Sequence, residues 1–316
     1  MNQKVNVEPA PQYADDEIDL RQLFATLWAG KWLILAVTVV FAAGGVAFAL
    51  SKPDIYQASV LVAPANDDGG GQGLGGQLGG LASLAGINLG GGGSNQTVIA
   101  KEVLQSRAFL SNFIHKHELA ASLKATIAWD TENQQWQYNR ELYNPDTGEW
   151  QVDENGKSFA PTDWDLVNAF RGNLSLSESK DAGMLTVSVK SLSPIAAKEW
   201  TTKLIADINE HMRREDVGTS EARIAFLESK LSETNIAGMQ QVFYQLIEVE
   251  TRTVMLANAQ PEYVFKTIDP AVVPQDKSQP KRAFIAIVAT MLGGMLGVFI
   301  VFVRAFIKSD SAEEKL

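Results

Sequence analysis

PAVVPQDKSQPKRAFIAIVATMLGGMLGVFIVFV, residues 270–303, decides how this chain is organised. Its last 21 residues, Ala283 to Val303, carry no charge. At about 1.5 Å per helical residue that length crosses a hydrocarbon core of roughly 30 Å, so the segment reads as a transmembrane helix. Pro270, Pro274 and Pro280 precede it. Each proline removes a backbone donor and biases its predecessor toward extended geometry, so the approach to the membrane is stiff and non-helical. Gly293 and Gly297 form a GxxxG within the span, beside Gly294. Such spacing lets another helix approach closely, although glycine is also common in spans for no particular partner.

A second uncharged run of 19 residues, Trp32 to Leu50, lies near the N-terminus. Ala47-Phe48-Ala49 has the look of a signal-peptidase site, but the run is longer than a usual signal core and its leading region is long and acidic. It is expected to stay as an anchor. Residues 1–17 read as a polar tail. From Ile18, Leu20, Leu23, Phe24, Leu27 and Trp28 recur at helical spacing and predict an amphipathic helix leading into the membrane.

Two spans divide the chain into 1–31 (tail and lead-in helix), 32–50 (first span), 51–282 (main domain), 283–303 (second span) and 304–316 (tail). Both termini then share one side. The positive-inside rule does not orient the molecule, because lysine and arginine flank the spans about equally on both sides. The main domain carries 21 basic against 29 acidic side chains. That balance argues against nucleic acid or an anionic lipid surface as the main ligand, since phosphate binding needs clustered basic groups. With no cysteine, disulfides, thiol nucleophiles and thiolate metal sites are excluded, and with only His115, His117 and His211 a three-histidine metal site is not expected.

Within the main domain, Tyr56 to Pro64 alternates as a strand does. Residues 66–95 are glycine-rich but lack the GxxxxGK[ST] of a phosphate loop, and Leu74, Leu78, Leu81, Leu84, Ile87 and Leu89 recur through them. They read either as a flexible linker or as a partly ordered loop at a subunit contact or lumen. Thr97 to Leu123 predicts one or two helices, with His115 and His117 on a solvated helix end. WQYNRELYNPDTGEWQVDENGKSF predicts a hairpin turning at Asn144–Gly148, so Asp146-Thr147-Gly148 is a turn and not half of an aspartic-protease dyad. Asp163 is expected to cap a helix with Asp165 in its first turn, since carboxylates at i and i+2 do not face each other as a glycosidase pair must. Met184 to Val189 is a strand, and Ser193-Pro194 opens long helices over about 194–258. PEYVFKTIDPAVVP supplies a last strand. The fold expected is an α/β membrane protein: two transmembrane helices flank an α/β domain with long extended helices. No catalytic, cofactor or metal site emerges.

The arrangement resembles the Wzz-type polysaccharide co-polymerases, the bacterial O-antigen chain-length determinants. The likeness lies in IDLRQLFATLWAGKWLI, YQASVLV, VMLANAQPEYVFKTIDPAVVP and the proline-rich second span. The family's last region reads Pro-x-x-Pro, four residues, Ser-Pro-Lys, eleven residues, Gly-x-x-x-Gly. Pro274, Pro280, Lys281, Gly293 and Gly297 match it, whereas Ala271 and Gln279 depart, as does Ala257-Asn258-Ala259-Gln260 from a Gly-Asn-Val-Arg found in relatives.

The resemblance implies cytoplasmic termini, a periplasmic main domain, a ring-like homo-oligomer in the inner membrane and cooperation with an O-antigen polymerase. It also implies a non-enzymatic role, with direct contact to the growing polysaccharide left open. On this reading Gly293 and Gly297 face the polymerase or another protomer, and the long helices hold protomers together. No kinase is expected after Val303. The alternative is an exopolysaccharide or capsule export component that works with a separate kinase and an outer-membrane channel.

Overall fold

The computed structural model describes residues 20–65, 92–179 and 183–313. The chain forms two compact units, one made of its two ends and the other of residues 53–280.

The terminal unit holds α1 (Leu20–Ala29), α2 (Lys31–Ser51) and α9 (Arg282–Glu313). Residues Lys31–Ser51 and Arg282–Ile307 are each long and apolar enough to cross a membrane. Gly30 separates α1 from α2 yet keeps the chain helical, donating to Thr26 and accepting from Leu33 and Ile34.

The second unit is built on a four-stranded antiparallel sheet in the order β6-β7-β1-β8, from β1 (Tyr56–Pro64), β6 (Leu174–Glu178), β7 (Leu185–Ser191) and β8 (Phe265–Asp269). The first strand of the unit is thus central, between strands that arrive more than 120 residues later. Val60 pairs with Val187 and Val62 with Leu185, and a register shift between Leu61 and Val62 marks where β8 joins. Ala58, Val60, Val62, Val187 and Val189 are buried, the period-2 pattern of a face that meets helices.

Those helices are α3 (Gly92–Gln105), α4 (Arg107–Lys116), α5 (Ala120–Lys124), α6 (Asp163–Asn173) and α7 (Pro194–Glu233). Phe113, Phe170, Phe265, Leu104, Leu204 and Ile208 fill the space between helices and sheet. Gly92–Gln105 takes in the last four residues of the glycine-rich segment, and the rest of that segment, 66–91, lies outside the described residues, as do residues 1–19. A small lobe of β2 (Thr126–Asp130), β3 (Gln135–Tyr138), β4 (Tyr143–Asn144) and β5 (Glu149–Trp150) follows α5. Its rings pack on one another, Tyr143 lying 5.2 Å from both Tyr138 and Trp150.

Ser193 caps α7 through the Ala196 amide with Pro194 beside it, as the sequence predicts. Ala197, Trp200, Leu204, Ile208 and Met212 then recur at helical spacing and lie buried. Beyond Met212 the helix leaves this core, continues unbroken through Gly218 and pairs with α8 (Ala237–Ala259). Asn209 marks the departure: its side chain donates to Phe265 O at 2.9 Å and accepts from the Val264 and Phe265 amides at 2.9 and 2.8 Å. Three bonds from one buried amide fasten α7 to the start of β8.

Two local expectations are corrected. Thr162, not Asp163, caps α6; its hydroxyl accepts from the Asp165 amide and the Asp165 carboxylate accepts from the Thr162 amide, a reciprocal pair. His117 is not solvated at a helix end: its side chain is 15% exposed, packs on Phe113 and bonds Asp207 at 2.8 Å. Periodicity placed its helix but not the neighbour that covers it.

Candidate functional site

The five motif residues divide between the units. Pro274 and Pro280 belong to the main unit, in the return arm that follows β8, and Lys281, Gly293 and Gly297 belong to the terminal unit. The arm has no regular structure, as its prolines dictate, yet its backbone is tied down. Ile55 N donates to Gln279 O at 2.9 Å, and Ser278 N and Gln279 N donate to Ile55 O at 2.8 and 3.2 Å. Lys277 reaches Asp54 at 3.3 Å. The entry to β1 and the exit from the unit are thereby stapled side by side, which brings Ile55 and Gln279, 224 positions apart in sequence, to one end of the domain.

In the terminal unit, α2 and α9 pack antiparallel along their length, and the contact is set by small residues four apart on α9. A Cβ built on Gly293 would stand 2.6 Å from Phe41 Cβ and 3.1 Å from Thr38 Cα. One on Gly297 would stand 3.0 Å from Ile34 Cα and 3.2 Å from Ile34 O. Real side chains need ordinary contact distances near 3.5–4.0 Å, so neither position has room for a methyl group. Ala289 faces Gly45 in the same row, and Val301 fills the space over Gly30, where a Cβ would lie 2.5 Å from its Cγ2. The row 289, 293, 297, 301 is a four-residue ridge of the kind that lets helices interlock closely in lipid. Gly293 and Gly297 therefore face the chain's own first span. The expectation that they contact a polymerase or another protomer is corrected: α2 already occupies their surface.

Within the main unit, the polar clusters among the described residues do not form conventional catalytic arrangements. Ser111, His115 and Asp163 cluster, with the serine hydroxyl donating to Asp163 at 3.0 Å and His115 Nε2 at 2.8 Å from the same carboxylate. The carboxylate sits between the other two, so no base touches the hydroxyl, as nucleophile activation requires. The His115 bond, and after it the Ser111 bond, hold the Asp163 carboxyl below the usual carboxylate range. Asp146 lies in the predicted turn, closed by Gly148 N donating to Asn144 O at 2.9 Å with Gly148 at φ +75°. Among the described residues no three His, Asp or Glu side chains are grouped to hold a metal ion. Tyr263 is pushed up to about 12 by burial and by its 2.7 Å bond to Asp216, which also accepts from Gln96 at 2.6 Å. That cluster fastens α3, α7 and the approach to β8.

Residues 16–117, covering α1, α2, β1 and the helices after it, match the family described as Wzz, chain length determinant protein. Over that stretch the chain is similar to the Wzz chain length determinant family. Residues 233–306, from the end of α7 through α8, β8, the return arm and the second span, match a further family, GNVR, described as "G-rich domain on putative tyrosine kinase". The matched stretch includes Ala257-Asn258-Ala259-Gln260. Among solved structures, a full-length bacterial polysaccharide co-polymerase is 15% identical, covering 92% of this chain and 99% of that one with a TM-score of 0.38. A fragment of WzzB, a polysaccharide co-polymerase from Salmonella Typhimurium, is 12% identical, covering 72% of this chain and all of that one with a TM-score of 0.32. No curated protein sequence matches the chain.

Proposed function

We propose that this co-polymerase sets the modal length of a surface polysaccharide, the O-antigen of lipopolysaccharide, grown by a separate membrane polymerase, and that it does so without catalysing a reaction. The observation that carries the reading is the chain length determinant match over residues 16–117. On this reading the termini are cytoplasmic, residues 51–282 form the periplasmic domain, and protomers assemble into a ring-like homo-oligomer in the inner membrane. Lys281, Gly293 and Gly297, with Pro274 and Pro280, act as the anchor. The glycines clamp the second span on the first, and the arm joins both ends of the domain at one place. The span pair is the fixture beside which the polymerase works, and the polymerase takes a surface other than the glycine row.

The test is an electrophoretic ladder of surface polysaccharide from cells with the gene deleted and then restored. Polymer should persist without its preferred length and regain it on restoration. An unchanged ladder in both the lipopolysaccharide and the exopolysaccharide fractions would refute the proposal. A second reading, an exopolysaccharide or capsule component working with a separate kinase and an outer-membrane channel, is favoured by the description of the family matched over 233–306. Loss of all surface polymer on deletion, with exopolysaccharide affected, selects it.

A further inference from the structure

The acid excess of the main domain does not extend into the spans. Residues 20–52 and 281–307 carry Arg21, Lys31, Lys52, Lys281, Arg282 and Arg304 and no acidic side chain. The two lysines that bracket α2 are turned in opposite senses. Lys31 opens the helix and holds its ammonium over the Trp28 ring, 4.6 Å from the centroid and so outside the span. A lysine that only marks the end of a span does this, reaching away from hydrocarbon toward water. Lys52 follows the helix and holds its ammonium over the Phe48 ring at 5.0 Å. Phe48 lies about 6 Å back toward the middle of the span, and Cβ bonds on a helix tilt toward its N-terminus, so the ring leans further inward. Because Phe48 is 56% exposed, the ammonium over it lies on the face of α2 that meets lipid.

The end of α2 does not need that cation. The last carbonyls of a helix lack helical donors, and a lysine near a C-terminus can serve them. Here Ser51 Oγ donates to Phe48 O at 2.8 Å and Arg282 Nε to Ala49 O at 3.4 Å. Asp54, the nearest acid in sequence, pairs with Lys277 at 3.3 Å. The Arg282 bond also sets the start of α9 beside the end of α2, and Lys281 stands exposed next to it. Two ammonium groups thus share one end of the span pair. Each has three donors to satisfy, and a charge held at the border of hydrocarbon is costly without a counter-charge.

We propose that Lys52 and Lys281 bind the phosphate of an anionic lipid in the leaflet at this end of the spans. This rests on both helices crossing a bilayer. The occupant is a lipid because a headgroup phosphate lies at the depth to which Lys52 is turned, in the layer between water and the roughly 30 Å hydrocarbon core. The opposite end of α2 is not equivalent, since Lys31 is drawn out over Trp28. Selectivity is for net negative charge, at about five-fold for each lysine near the membrane surface.

Full-length protein in detergent is titrated with phosphatidylglycerol and, separately, with phosphatidylcholine, and native mass spectrometry reads the dissociation constant of the first lipid bound. Phosphatidylglycerol should bind more tightly. Lys52→Gln and Lys281→Gln should each weaken it about five-fold and leave phosphatidylcholine unchanged. Lys52→Arg should keep the preference, and Lys31→Gln should not alter it. Equal affinity for the two lipids overturns the site, as does an effect of Lys31→Gln as large as that of Lys52→Gln. Excess inorganic phosphate should not displace the lipid; displacement gives the site to a soluble anion and overturns the proposal. Alkaline extraction of native membranes separates the site from the spans beneath it. Protein that stays in the pellet but shows no lipid preference overturns the site alone, whereas release into the supernatant overturns the spans as well.

Discussion

Replacing Gly297 should force the two spans apart, and replacing Gly44 should not. The Cβ of Gly297→Ala would lie 3.0 Å from Ile34 Cα and 3.2 Å from Ile34 O. These are backbone atoms on a packed helix and cannot rotate away. Ordinary contact needs about 3.5–4.0 Å, a shortfall of roughly 0.5–1 Å, and overpacking of this kind costs about 1–3 kcal/mol. Leucine adds three more carbons along the same line, so separation becomes the cheaper response. Gly44 is the internal control, since a Cβ there meets nothing within 4 Å and a leucine would point into open space. Spin labels on cysteines introduced at Val40 and Met295, both exposed on the spans, report the separation by electron–electron distance measurement. Gly297→Leu should lengthen and broaden the distance by at least about 1–2 Å, and Gly44→Leu should leave it in place. If Gly297→Leu keeps the original distance, or if the two variants behave alike, the glycine row does not hold the spans together. The polysaccharide ladder then asks whether the clamp matters for length: on the proposed function Gly297→Leu shifts the modal length.

Other predictions concern the main unit. Asn209→Ala strips three bonds from buried backbone at the α7–β8 junction and should cost about 2–4 kcal/mol, read as a lowered thermal midpoint. Tyr263→Phe should lower stability by about 1–2 kcal/mol through loss of the bond to Asp216. Because the phenol is raised to about 12, its contribution is complete below the unfolded value near 10 and is lost between about pH 10 and 12; an ultraviolet titration should find one tyrosine missing from the late phase in the variant. Asp163→Asn should lower the thermal midpoint slightly at pH 7 and by progressively less as the pH falls through the depressed folded value. A carboxyl held low by His115 and Ser111 stabilises above its unfolded value of about 3.9 and loses that effect as pH falls through the depressed folded one. Thr162→Ala removes the α6 cap and should cost about 1 kcal/mol by the same thermal assay.

Some elements were legible because one local property settles them. An uncharged stretch long enough to span a bilayer needs no partner to be recognised, so Ala283–Val303 and Trp32–Leu50 stand out from composition alone. Tyr56–Pro64 alternates because one face of β1 is buried, and Ser193-Pro194 announces α7 because a cap is a contact between neighbours in sequence. Where the rule is local but two residues compete, the reading slips: Asp163 and Thr162 both suit a cap, and the backbone conformation of Thr162 decides.

Partner choice was not legible. GxxxG states that some helix comes close, and only the packed structure supplies Ile34, Thr38 and Phe41 as the surface it meets. The central place of β1 depends on pairings with β7 and β8 across more than a hundred residues, which no window of sequence contains. The burial of His117 depends on Phe113 and on Asp207 of α7. Apolar residues recur along α8, but which of them the chain covers is a tertiary fact: Ala257 is buried and Val242 exposed. Sequence by itself determined the spans, the strands and helices at their ends, and the family motif, because these rest on length, period and neighbouring residues. The tertiary structure alone decided what each apolar face meets, because burial is a property of two surfaces and the sequence records each of them separately.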